Sequence, residues 1–150
     1  MNNKIKILIV LIILGIGGGA IGYYMYNKPH ENIENKKATY TLSTDDLMAE
    51  FETTEEEAKE KYKDKLLQVN GTVQGINKSD DGGITILFAS SGTSMGNVKA
   101  GLQKESAGKA ADLKSGDEVT IKGRLNGVNK MDEMGIEMID IELSRCVVVE

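Results

Sequence analysis

Tryptophan is absent from these 150 residues, and cysteine, histidine and proline occur once each. Each scarcity closes off a chemistry. A single cysteine, Cys146, leaves no internal disulfide and no thiolate zinc site, which would need several soft ligands at close spacing. In "SRCVVVE" it leads into a valine run, where a small buried hydrophobe is expected rather than a reactive thiol. His30 stands in "NKPHEN" beside the only proline, so a Ser-His or Cys-His pair would have to draw on a linker residue. The loop "SSGTSMG" is rich in small residues but lacks the G-x-x-x-x-G-K-[ST] pattern of a phosphate cradle. No catalytic residue, no metal site and no cofactor is expected, and the chain is not read as an enzyme.

Cations are also in the minority, 18 Lys and Arg against 23 Asp and Glu. Two of those cations, Lys4 and Lys6, precede Asn27, and every acidic residue follows it, so the rest of the chain is more acidic than the net charge of −5 suggests. That is a poor match to a phosphate backbone, whose binding rests on clustered Lys and Arg. Single-strand binding further requires aromatic platforms in a basic groove. From residue 66 to the end the only aromatic residue is Phe88, and it shares the apolar parity of Ile84 and Ile86, which places it inside.

What the sequence does have begins with an apolar run. From Ile7 to Asn27 no residue is charged, and a helix of that length spans a hydrocarbon core of about 30 Å. Lys4 and Lys6 precede the run, and Tyr23, Tyr24 and Tyr26 sit at its far end, where amphipathic rings settle among lipid headgroups. No A-x-A-like cleavage site follows, so an uncleaved single-pass anchor with the globular part outside the cytoplasm is expected. Gly15 with Gly19, and Gly18 with Gly22, form G-x-x-x-G pairs through which two such helices could dimerise. The expected divisions are an anchor over 1–27, a polar linker over 28–42, a helical lead-in over 43–65 and one barrel over 66–150.

In the lead-in, Ser43 with Asp46 reads as a helix start, and Leu47 with Phe51 as its buried face. A second helix should open at Thr53 or Thr54, with Glu55–Lys59 and Glu57–Lys61 ion pairs and Ala58 and Tyr62 facing inward. Its three leading glutamates suit the helix dipole better than they suit a metal.

"LLQVNGTVQGI" then raises the question of fold. Asn70-Gly71 is a strong hairpin signal, yet Leu67, Val69, Gly71 and Val73 keep one parity straight through it, as in a single bent strand. "DEVTIKGRLNGV" repeats the pattern 52 positions later, with Gly123 in the place of Gly71. Glycine inside a strand points to a bulge or a sharp bend at a barrel corner. "ITILFA" and "NVKAGL" give two further strands with Ile84, Ile86, Phe88, Val98, Ala100 and Leu102 inward. A short helix follows, ending at Ser115-Gly116. A strand over 118–128, the loop "NKMDEMG" and a last strand through "IEMIDIELSRCVVV" complete the set, the last with its parity switching near Ser144.

That order, with a short helix between the third and fourth strands, is the five-stranded Greek-key barrel of the OB-fold in a mainly β chain. "AKEKYKDKLLQVNGTVQGI", "LKSGDEVTIKGRLNG" and "IELSRCVVVE" together resemble the tRNA-anticodon-binding-like OB family of small membrane- or lipid-anchored bacterial envelope proteins. The resemblance covers residues 42–150 and rests on strand and turn patterns. It implies the fold and carries no catalytic residue. OB-folds bind on their second and third strands and the flanking loops, which here offer Lys78, Asp80, Asn97, Lys99, Lys130, Met131 and Met134. The expected function is a membrane-anchored binding module for a protein or small envelope ligand; the second reading is single-stranded nucleic-acid binding.

Overall fold

The computed structural model describes residues 3–27, 32–90 and 95–149. His30 and the centre of the "SSGTSMGN" loop lie outside them. The chain divides into two units, Met1–Asn32 and Ile33–Glu150.

The first unit is one helix, α1 (Asn3–Tyr26), of 24 residues. Its segment Ile5–Tyr26 has a mean hydropathy of 2.4, and the helix is long and apolar enough to cross a membrane. A signal sequence would meet the same test. A Cβ added at Gly15, Gly18, Gly19 or Gly22 would touch nothing, so the helix carries an open stripe of small residues.

The second unit begins with β1 (Tyr40–Ser43), α2 (Thr44–Thr53) and α3 (Glu55–Tyr62). Ser43 and Asp46 close a capping box, each side chain taking the other's backbone N–H, so the strand-to-helix corner satisfies its own orphan donors. Leu47, Met48, Phe51, Ala58 and Tyr62 are turned into the core. Lys59 pairs with Glu55 as the spacing predicts, at 2.5 Å. Lys61 does not pair with Glu57; it crosses to Glu50 of α2 at 2.8 Å and ties the two helices together.

The barrel strands are β2 (Leu66–Lys78), β3 (Ile84–Phe88), β4 (Val98–Leu102), β5 (Glu118–Glu133) and β6 (Ile136–Val149). Their order β1-β2-β3-β4-β6-β5, closed by a β2–β5 pairing, makes one ring with β1 attached in parallel to β2. A 3₁₀ turn, Lys104–Ser106, and α4 (Ala107–Ala110) join β4 to β5, a shorter helix than the expected run to Ser115-Gly116. Leu67, Val69, Val73, Ile86, Phe88, Val98, Ala100, Val119, Ile121, Ile139, Ile141, Leu143, Cys146 and Val148 fill the interior. Phe88 is wholly buried.

Asn70-Gly71 is strand throughout, and the β2–β5 register passes through Gly71↔Val119 without a shift. No bulge lies there. Glycine is needed because a Cβ would stand 2.5 Å from Thr44 Cγ2 and 2.8 Å from Phe88 Cδ1, both packed over it. At Gly123 a Cβ would stand 2.3 Å from Cys146 Sγ, and there the register against β6 does shift. The extra residue is Arg145 in β6, whose φ of 53° marks the bulge and explains the change of parity beside Ser144.

Two boundaries differ from expectation. The "NKMDEMG" loop does not exist as a loop: Asn129 to Glu133 continue β5, and each pairs with β6. The chain reverses at Met134-Gly135, both left-handed at φ 56° and 77°, in a two-residue hairpin closed by the Gly135 N–H donating to Asp132 Oδ1 at 3.2 Å. The polar segment read as a linker up to residue 42 is docked from Ile33 onward. Ile33 is buried with Leu66 and Val147, the Thr39 N–H donates to the Leu66 carbonyl, and Lys122 Nζ donates to the carbonyls of Glu34 and Lys36 at 2.8 and 2.9 Å. A lysine that would otherwise be stranded in the barrel wall thereby satisfies its ammonium on backbone oxygens.

Candidate ligand-binding face

Alternation along β3, β4, β6 and β5 gives the barrel an outer face opposite Ile86, Ala100, Ile141 and Val128. Register assigns to it Leu87, Lys99, Glu142, Asp140 and Asn129. Lys99 Nζ reaches Asp140 Oδ2 at 2.7 Å, and the Asn97 N–H donates to the other oxygen at 3.1 Å. The Asp140 side chain is 15 % exposed, so this cation and its carboxylate form a half-buried, mutually satisfied pair. Beside them lies a cleft of about 330 Å³ lined by Thr85, Lys99, Gly101, Asn126, Glu142 and Ser144, at the small end for ligand pockets.

The structure thus gathers Asn97, Lys99 and Met131 on one sheet face. Lys78 ends β2, and Asp80 stands exposed in the tight turn beyond it, which is closed by Ser79 N–H to Gly83 O and Gly82 N–H to Ser79 O. Lys130 belongs to the opposite face of β5, paired in register with buried Ile139, and its Nζ lies 3.5 Å from Glu55 Oε2 of α3. Alternation through the extended strand over 129–133 turns it away, whereas a loop there would have left it free to face the ligand side. Met134 sits at the hairpin tip, fully exposed.

Two contributors to this face were not singled out from sequence. Asp140 neutralises Lys99 across parallel strands, a contact with no local signature at a separation of 41 residues. Met95 lies beside Met138 in an isolated parallel bridge; the only hint was the Met-Gly of "SMGN". Among the described residues, no three His, Cys, Asp or Glu side chains stand where they could hold a metal ion. Cys146 is buried, and burial pushes its thiol up to about 12, a poor nucleophile at neutral pH.

The sequence pattern of the tRNA_anti-like family matches residues 1–135. This chain belongs to that family. The match takes in the apolar helix as well as the barrel up to the β5–β6 turn. Among solved structures, a protein of Klebsiella pneumoniae, provisionally named a nucleic acid-binding lipoprotein, is 18 % identical with a TM-score of 0.53, over 73 % of this chain and 91 % of that one. At that identity the likeness speaks for the shared fold. The asparaginyl-tRNA synthetase of Entamoeba histolytica is 22 % identical with a TM-score of 0.38, over 57 % of this chain and 20 % of the synthetase. No curated protein matches the sequence.

Proposed function

We propose that this family member is a non-enzymatic binding module, held at the membrane by α1, whose barrel meets a protein or small envelope ligand on the outer face of β4, β6 and β5. The observation that carries this reading is the Lys99–Asp140 pair. The face where an OB barrel receives ligand keeps its central cation in an internal contact, and its one barrel aromatic, Phe88, is in the core. A single strand would find the central cation of that face already paired and no ring to stack on. A partner making van der Waals and backbone contacts would find a sheet face with a small polar cleft beside it.

Lys4 and Lys6, in the first turn of α1 ahead of its apolar run, favour the N-terminus inside and the barrel outside the cytoplasm. Single-strand binding remains the second reading, favoured by family membership and by the name of the Klebsiella protein.

Titrating the full-length protein in detergent micelles with fluorescent mixed-sequence single-stranded DNA and RNA at about 50 mM salt separates the two readings. No saturable binding is expected. Binding whose affinity falls steeply with salt would replace the module reading with a nucleic-acid one.

A further inference from the structure

We propose that Met95, Met138 and Met131 form a thioether site for a soft monovalent d¹⁰ cation, Cu(I) or its air-stable counterpart Ag(I), with Met134 at the adjoining turn as a further sulfur. Met131 and Met138 are direct cross-strand partners in the β5–β6 ladder, and Met95 is the bridge partner of Met138 on its other side. Directly paired residues project to the same face with Cα atoms about 4.5–5.5 Å apart. Three thioethers from three chain segments therefore stand in one row. Methionine, unbranched with three rotatable bonds, can converge its sulfur on a shared point from such a row.

The backbone is built to bring Met95 there. A Cβ at Gly96 would lie 1.9 Å from the Ile139 carbonyl oxygen, a clash with main chain, so glycine alone allows this segment to lie against β6. The Ile139 N–H donates to the Met95 carbonyl at 3.1 Å, and the Asn97 N–H donates to Asp140. Met95 and Met131 are not core filling, and Met138 between them is half-buried. Met48 is wholly buried, whereas Met95 is 62 % exposed and Met131 is 45 % exposed.

Ligand softness selects the ion. A thioether is neutral and polarisable, binds Cu(I) well, and competes poorly for Zn, Mg or Ca. Asp132 and Glu137 pair with each other in the ladder on the opposite face from Met131 and Met138 and are turned away, and Asp140, the carboxylate two residues from Met138 on the methionine face, is engaged by Lys99 Nζ and the Asn97 N–H. Cys146 is buried in the core and offers no competing sulfur.

The site is separable from any apolar docking role, because leucine at the three positions keeps the apolar surface and removes only sulfur. The test titrates full-length protein in detergent with Ag(I) by calorimetry, and with Cu(I) under anaerobic conditions against a chromogenic Cu(I) chelator. Saturable uptake of one equivalent is expected, with an affinity flat from about pH 5 to 8 because thioethers carry no proton to lose. The Met95→Leu, Met131→Leu, Met138→Leu triple variant should bind at least about 100-fold more weakly with an unchanged thermal melt, and His30→Ala should bind as the wild type does. Absence of saturable uptake, a triple variant that binds like wild type, or Zn(II) bound as tightly as Ag(I) would each overturn the proposal.

Discussion

Asn70-Gly71 lies mid-strand in β2 under a packed helix, whereas Met134-Gly135 stands at an exposed tip and reverses the chain between β5 and β6. The first pair is the better turn sequence, and Met is a poor choice for a left-handed position. What separates them is what lies above. Thr44 of α2 and Phe88 of β3 press onto Gly71, so the segment is held extended by burial. Nothing lies within 4 Å of a Cβ at Gly135, and there the local backbone decides. One glycine makes room for neighbours; the other supplies a torsion.

The largest effect should come from filling the room at Gly71. Gly71→Ala places a methyl where Thr44 and Phe88 already sit, and overpacking of this kind costs about 2–3 kcal/mol in denaturant unfolding. Thr44→Ala in the same chain should recover part of that loss, with a coupling of about 1 kcal/mol or more. Strictly additive costs would show that Gly71 serves a backbone bend instead.

At the tip the signs divide between adjacent residues. Gly135 holds a φ of 77°, so Gly135→Ala should lose about 1 kcal/mol. Met134 holds a φ of 56° without glycine's freedom, so Met134→Asn, which makes the turn an Asn-Gly, should gain about 0.5 kcal/mol. Thermal melts of the two variants check both signs. A loss at Met134→Asn would mean that the methionine packs against something and that the tip is less free than Gly135 suggests.

These two regions also mark how far the sequence could be read. Inward parity in β2, β3, β4 and the first half of β6 follows from alternation alone, as does the break near Ser144, because a buried face enforces period two. The Ser43–Asp46 cap is a four-residue signal and was legible for that reason. Asn129 to Glu133 was not: Asn, Lys, Asp and Glu are depleted in strands, and only pairing with residues 136–140 makes them one. The docking of residues 33–39 depends on Lys122, 86 and 88 residues away from the carbonyls it holds. The binding face suffered the same way. Lys99 could be picked out as a surface cation, but its capture by Asp140, and the placing of Met95 beside Met138, belong to the ring's register.

The smallest effect tests what holds α2 over Gly71. Glu50 accepts from Lys61 Nζ at 2.8 and 2.9 Å and from Tyr62 Oη at 2.8 Å, and the Lys61 ammonium lies over the rings of Tyr40 and Tyr62. Burial alone would raise the Glu50 carboxyl, but the hydrogen bonds from Lys61 and Tyr62 outweigh it and hold the group below its ordinary 4.5. A carboxyl depressed on folding contributes stability that is complete above that ordinary value and is lost as pH falls through the folded one. Tyr62 moves the other way, raised above 10.0 first by burial and then by its bond to Glu50, so its share is complete below pH 10.0 and fades as pH rises through the folded value. Because the Glu50 side chain is 38 % exposed, solvent screening should keep the carboxylate's share under about 1 kcal/mol. The difference in unfolding free energy between wild type and Glu50→Gln should therefore be complete at pH 7 and shrink as pH falls below 4.5. A difference constant across that range would assign the contact to packing alone. The gain at Met134→Asn should be as large at the acid end as at neutrality, since that turn has no part in the Glu50 contact; a gain that faded with acid would join the two regions that packing keeps apart.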